Sequence, residues 1–212
     1  AVAARIASGE LIQRESEIAS RDALLAEDEF VTWAESQRTG MTPMCDANRP
    51  NGLESDQAKA VAAVLGARSR IVIFQGDAGT GKTTSLREVV AGIEATGARV
   101  FGCAPSAGAT DVLRKELTAD ADTVQQLLVN SALRQATRDR VIIVDEAGLI
   151  SVAQMRDLCR LAAANNNRLL LVGDTKQHTS VEAGDALRCL QKYARVPVAR
   201  LTEIRRQRDP QY

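Results

Sequence analysis

"GDAGTGKTT", Gly76 to Thr84, comes directly after the apolar run "RIVIFQ", Arg70 to Gln75. An apolar strand, a glycine-rich loop and then a helical stretch from about Lys82 to Ala95 form the join at which open α/β proteins hold phosphates. Gly76, Gly81, Lys82 and Thr83 satisfy G-x-x-x-x-G-K-[ST] in that setting. Glycines let backbone N–H groups curl round an anion, the helix start adds positive potential, Lys82 is a point charge and Thr83 can ligate Mg²⁺. The candidate phosphate-binding set is Gly76, Ala78, Gly79, Thr80, Gly81, Lys82, Thr83 and Thr84. A plain glycine-rich turn with a lysine at a helix start would not account for the threonine at the last position.

Outward from this loop, apolar runs alternate with helical segments. Strands are predicted at Ile71 to Gln75, Arg99 to Ala104, Val141 to Asp145, Leu169 to Gly173 and, more weakly, Val198 to Thr202. That alternation predicts an α/β fold with a parallel sheet flanked by helices. "RVIIVDEAG" brings Asp145 and Glu146 to the same sheet edge as the loop. Asp145 can hold Mg²⁺, and Glu146 can polarise the water that attacks a γ-phosphate. Alone, two carboxylates after a strand are an ordinary helix-start charge pair; with the loop, the catalytic reading is the stronger. "LLLVGDTKQH" ends a further strand with Gly173, Asp174 and Gln177 in a position suited to reporting the γ-phosphate.

Ser8 to Arg38 is rich in Ala, Glu, Leu and Arg, with apolar residues Leu11, Ile12, Ile18, Leu24, Leu25, Phe30 and Trp33 at roughly helical spacing. Two amphipathic helices are predicted there, with Leu24, Phe30 and Trp33 in the core. Thr39 to Gly52 gathers Gly, Pro, Asn and Asp and breaks the pattern. The expected division is a helical N-terminal extension and linker, 1–52, before the phosphate-loop α/β domain, 53–212.

The 212 residues, 45% hydrophobic, suit one main core. Lys plus Arg and Asp plus Glu both number 27, so any polyanion must meet a local basic patch. The four cysteines form no CxxC pair and His178 is the only histidine, which excludes a Cys/His zinc site. Reduced thiols in a cytoplasmic protein fit this usage. No apolar run of about 18 residues could span a bilayer, so no membrane partner is expected. The uncapped ends, "AVAARIASGE" and "RRQRDPQY", point to a piece of something longer.

"GLESDQAKAV", "GDAGTGKTT", "APSAGAT", "DEAG", "GDTKQH" and "LTEIRRQ" occur in the order of the first motor domain of superfamily 1 DNA helicases, which the chain resembles. "GDTKQHTSVEAGDALRCLQ" and "ASGELIQRESEI" narrow the likeness to the helicase portion of conjugative relaxases, related to the 5′-to-3′ translocating subunit of the recombination nuclease. The resemblance implies a RecA-like P-loop fold, ATP and Mg²⁺ as cofactors, and single-stranded DNA as partner. It further implies a second motor domain in the same longer chain and a nicking domain upstream, which cannot lie within these residues. Carried over by position, Gln57 matches the glutamine that reads adenine and Gln177 the γ-phosphate sensor. Arg206 matches the arginine finger, with Arg205 its close competitor. Lys82, Glu146, Gln177 and Arg206 are thus the candidate catalytic residues, and Thr83 and Asp145 the metal ligands.

In isolation Gln57 reads as a solvated helix residue, Arg205 and Arg206 as a charge run, and His178 as structural within its loop. "CAPSAGATDVL" matches the motif that touches the backbone of single-stranded DNA, giving Ser106, Ala107 and Thr110 as DNA candidates, with Thr123 and Gln125 behind them. An ordinary strand-to-helix turn is the bland reading. Aromatic residues are only 3% of the chain, so backbone tracking would outweigh base stacking. The competing functions are a non-catalytic module that binds single-stranded DNA or a partner protein, and a P-loop ATPase with no DNA substrate.

Overall fold

The computed structural model describes residues 2–14, 17–45, 53, 55–77, 79–173 and 186–202. Its centre is a parallel sheet of six strands: β3 (Ile71–Gly76), β4 (Val100–Ala104), β5 (Ala121–Thr123), β6 (Val141–Val144), β7 (Arg168–Gly173) and β8 (Val198–Leu201). They lie in the order β5-β4-β6-β7-β3-β8. Five of the six fall where apolar runs predict them. The sixth, β5, is a three-residue edge strand, too short to show a pattern of its own.

Side chains alternate between the two faces along each strand. Ile71, Ile73, Ile142, Val144, Leu169 and Leu171 enter one apolar cluster. Their neighbours Val72, Phe74, Val141, Ile143, Leu170 and Val172 enter the other. Because both faces are covered, the strands are apolar throughout, as buried parallel strands are. On the first face pack α2 (Arg21–Ser36), α6 (Val124–Val129), α8 (Val152–Asn165) and α9 (Ala186–Lys192). On the second pack α3 (Ser55–Leu65) and α4 (Lys82–Glu94). Helices α5 (Ala107–Glu116) and α7 (Ser131–Ala136) complete the flanks.

The N-terminal stretch departs from two helices. A short α1 (Val2–Ala7) is followed by an antiparallel hairpin, β1 (Leu11–Arg14) with β2 (Glu17–Ser20), and one long helix, α2. Leu11, Ile12 and Ile18 therefore lie in strands rather than on a helix. The deciding residue is Ser20, extended at φ −73° and ψ 146°, whose hydroxyl accepts from the Ala23 N–H and starts α2; such a cap stops the helix from running back. The buried stripe of α2 is Ala26, Phe30 and Ala34, spaced by four, and it belongs to the sheet's first-face core. Of the residues expected there, Phe30 is buried and Trp33 packs at the border, but Leu24 is on the surface. A two-pronged ion pair from Arg160 to Glu29, at 2.6 and 2.7 Å, also joins α8 to α2.

Among the described residues no helix is long and apolar enough to cross a membrane. Cys103 and Cys159 are buried thiols, whereas Cys45 and Cys189 are half-buried.

Candidate nucleotide site

The parallel register sets the site. Gln75 of β3 pairs with Gly173 of β7, and Val144 of β6 pairs with Leu171 of β7, so the three strands end within about two residues of one level. With β7 between them, the loop after β3 and the acidic pair after β6 are separated by two strand spacings, about 10 Å.

The loop is built round missing side chains. A Cβ at Gly76 would come within 2.8 Å of Thr80 Oγ1 and 3.0 Å of Leu201 Cβ. Gly81 has φ +81°, and a Cβ there would overlap Gln57 Nε2. Thr80 is buried, and its hydroxyl donates to Asp77 O at 2.8 Å, closing the turn. Lys82 Nζ donates to Gly76 O at 2.7 Å. The ammonium is thus folded onto the loop's own first carbonyl, a contact that an incoming phosphate can replace.

Helix α4 starts differently from its neighbours. Ser20, Ser106, Thr123, Asn130 and Ser151 cap α2, α5, α6, α7 and α8 with a side-chain oxygen on an N–H of the first turn. At α4 the capping position is Gly81, which has no side chain to cap the first turn. Those N–H groups and the positive end of the helix are left for an anion. Thr83 and Thr84 are exposed beside them.

Just past β6, Asp145 is half-buried and its Oδ1 accepts from the Glu146 N–H at 2.9 Å. Among the described residues nothing donates to its other oxygen. Glu146 is exposed with φ +51°, a left-handed backbone unusual for a residue with a side chain; such conformations cluster at functional sites. Gly173 lets the turn pack close to β7, since a Cβ there would lie 3.3 Å from the Gly148 nitrogen. With Asp145 offering a carboxylate oxygen and Thr83 an exposed hydroxyl, the donors fit a hard, oxygen-seeking cation such as Mg²⁺.

Gln57 is 4% exposed, not the solvated helix residue it resembles in isolation. Its amide nitrogen lies 3.5 Å from both Thr80 O and Gly81 O. The geometry makes it a brace beneath the loop, with the amide turned to the backbone of Thr80 and Gly81. Thr110 also faces inward. It is 1% exposed and its hydroxyl donates to Ser106 O at 2.9 Å, so burial removes it from the DNA candidates. Ser106, Ala107 and Gln125 are on the surface, and Thr123 is half-buried. Ala78, Asp174, Gln177, His178, Arg205 and Arg206 lie outside the described residues.

Sequence reading missed Asp56 and Thr202. Asp56, in the first turn of α3, accepts from Thr202 N at 2.9 Å and from Thr202 Oγ1 at 3.2 Å. An aspartate beside Gln57 in "LESDQ" is the only local signal, and an acid in a first helical turn needs no special explanation.

This is the α/β P-loop architecture of a RecA-like domain. Residues 52–212 match the AAA domain family, and the chain belongs to it. The probable conjugal transfer protein TraA of Sinorhizobium fredii is 35% identical over 76% of this chain and 15% of its own length. The ATP-dependent RecD2 DNA helicase of Deinococcus radiodurans is 35% identical over 74% of this chain and 22% of its own. The multifunctional conjugation protein TraI of Escherichia coli is 30% identical over 73% of this chain and 9% of its own. These relatives are conjugal transfer and conjugation proteins and a DNA helicase. The chain thus spans less than a quarter of each of these relatives. Among solved structures, domain III of the Thermotoga maritima replication initiation protein DnaA has a TM-score of 0.45 and 16% identity, covering 77% of this chain and 69% of that one.

Proposed function

We propose that this chain is the ATP-binding lobe of a superfamily 1 DNA helicase, part of a conjugative relaxase, coupling Mg²⁺-dependent ATP hydrolysis to 5′-to-3′ movement on single-stranded DNA. The observation that carries the nucleotide part is the uncapped start of α4, with Lys82 beside it, on the same sheet edge as Asp145 and Glu146.

In this reading Lys82 leaves Gly76 O to meet the β- and γ-phosphates, and the first N–H groups of α4 cradle them. Thr83 and Asp145 would hold Mg²⁺, which would supply positive charge to the phosphate oxygens. Glu146 accepts a proton from the attacking water as its oxygen bonds to the γ-phosphorus and the bond to the ADP oxygen breaks. Gln177 and Arg206 sense and neutralise the γ-phosphoryl charge. Ser106 and Ala107 face the DNA backbone, because small side chains on an exposed strand-to-helix turn suit phosphate contact without base selection. A second motor domain supplies the rest of the site, a nicking domain lies upstream, and the protein works in the cytoplasm. DNA handling in the named relatives supports the DNA partner.

The test is ATP turnover with and without a single-stranded oligonucleotide. It is run on this chain and on a protein extended past Tyr212, each with Lys82→Ala as control. Turnover should be slow in this chain, rise with DNA in the longer one, and vanish in both variants. Turnover that survives Lys82→Ala contradicts the loop assignment. Turnover indifferent to DNA favours an ATPase without a DNA substrate.

A further inference from the structure

The first turn of α3 touches two parts of the nucleotide edge that are distant in sequence. Gln57 reaches the loop at Thr80 O and Gly81 O. The residue before it, Asp56, holds Thr202, 146 positions away, by both its N–H and its hydroxyl. Leu201 is the last residue of β8 in register with β3, opposite Gly76. Thr202 therefore lies just past the ladder, and its N–H is held by Asp56 alone among the described residues. The loop's base and the end of β8 are already in close contact, as the 3.0 Å approach of a Gly76 Cβ to Leu201 indicates.

We infer that Asp56 is a positioning residue that carries the state of the phosphate loop to the exit of β8. The inference rests on the nucleotide reading above. A phosphate in the loop must displace Lys82 from Gly76 O and draw the Thr80–Lys82 backbone round itself. Gln57 is packed too closely under Gly81 to stay put when that backbone moves. Asp56 and Gln57 share one rigid helical turn, so a shift of one reorients the carboxylate on Thr202. Three and four residues beyond Thr202 in sequence stand Arg205 and Arg206, the candidate fingers. Asp56 would thus link loop occupancy to the segment that must answer it, without touching nucleotide.

The experiment is amide hydrogen exchange at Thr202, followed by NMR with and without a nonhydrolysable ATP analogue and Mg²⁺, in this chain and in Asp56→Ala, Asp56→Asn and Thr202→Val. In the native chain the analogue should slow exchange at Thr202. Asp56→Ala should bind the analogue within about threefold of native affinity, yet exchange at Thr202 about tenfold faster and no longer respond, the factor expected for losing one charge-assisted hydrogen bond. Asp56→Asn should keep the response, since with its amide turned the asparagine oxygen can take the place of Asp56 Oδ2 as acceptor for the Thr202 N–H, and its amide nitrogen can donate to the hydroxyl. Thr202→Val, which loses only the hydroxyl bond, should keep part of it. An Asp56→Ala chain that responds like the native one, or a native chain that binds analogue with no change at Thr202, overturns the inference. A native chain that binds no analogue overturns the nucleotide reading and this inference with it.

Discussion

At the amino edge of the six-stranded sheet, Arg168 donates to the carbonyls of Thr42, Ala67 and Ser69 at 2.7, 2.8 and 2.9 Å. Beside it, Arg70 bridges Gln37, Asn166 and the Asn167 carbonyl, and Arg140 meets Asp120 at 2.7 Å. At the carboxyl edge, by contrast, Glu146 projects from a left-handed backbone, Lys82 is held by one replaceable carbonyl, and α4 begins without a side-chain cap. Both edges are rich in polar residues. At one most of the donors are committed to the chain's own carbonyls and side chains, with Arg168 Nε alone of that guanidinium buried without a partner, and at the other they are kept for something else. Burial lowers Arg168 to about 10, helped by the Arg70 charge, which still leaves it protonated at neutral pH. Two of its partners, the Ala67 and Ser69 carbonyls, lie between α3 and β3, and the third, Thr42 O, lies in the stretch before α3, so its role is to pin the 41–45 crossing and the α3–β3 connection to β7. The difference teaches that a polar residue at a sheet edge is read by what it already holds, rather than by its type.

That contrast can be broken most strongly at Glu146. Glu146→Gln keeps the size of the side chain and removes the base, so turnover should fall by about 10²- to 10⁴-fold while melting behaviour and analogue affinity stay near native. A modest loss of turnover would assign the proton to another group. At the opposite edge, Arg168→Ala should cost about 2–4 kcal/mol, because it strands buried carbonyls and removes a buried side chain. Urea melts would read this as a lower midpoint, with analogue affinity unchanged among folded molecules. An unaltered midpoint would mean the carbonyls find water at no cost. Gly81→Ala lies between the two kinds. It should lower stability by about 1–2 kcal/mol for the left-handed backbone alone, and it should weaken analogue binding by displacing Gln57. Stability and binding both at native values would show that the loop relaxes freely.

The two faces of the sheet were legible in sequence because burial on both sides demands unbroken apolar runs, and Ile71–Gln75 or Leu169–Gly173 can be little else. The loop was legible because its chemistry is local, with every residue from Gly76 to Thr84 contiguous. The hairpin at 11–20 was not, since Leu11, Ile12 and Ile18 fit either period and the marker that decides is a single capping serine. Thr110 was misjudged because a threonine at a helix start is polar by type, but here it faces inward onto Ser106 O. Asp56 and Arg168 escaped because their partners lie 146 and about 100 residues away, and only the fold brings them together.

The smallest effect expected concerns the cysteines. Burial pushes the Cys103 and Cys159 thiols far above their ordinary range, with Glu29 adding to the effect at Cys159. Under native conditions an alkylating reagent should modify Cys45 and Cys189 first, and Cys103 and Cys159 only on unfolding. Early labelling of Cys103, which lies on β4 beside Val144 of β6, would mean that the sheet opens near the acidic turn.

The most direct test of the central claim is a crystal structure of this chain with a nonhydrolysable ATP analogue and Mg²⁺. The triphosphate should lie against the first turn of α4, with Lys82 moved from Gly76 O onto it and Asp145 facing the cation, while Arg168 keeps its three carbonyls. An empty loop in crystals soaked to saturation, or a nucleotide bound at the amino edge, would contradict the account.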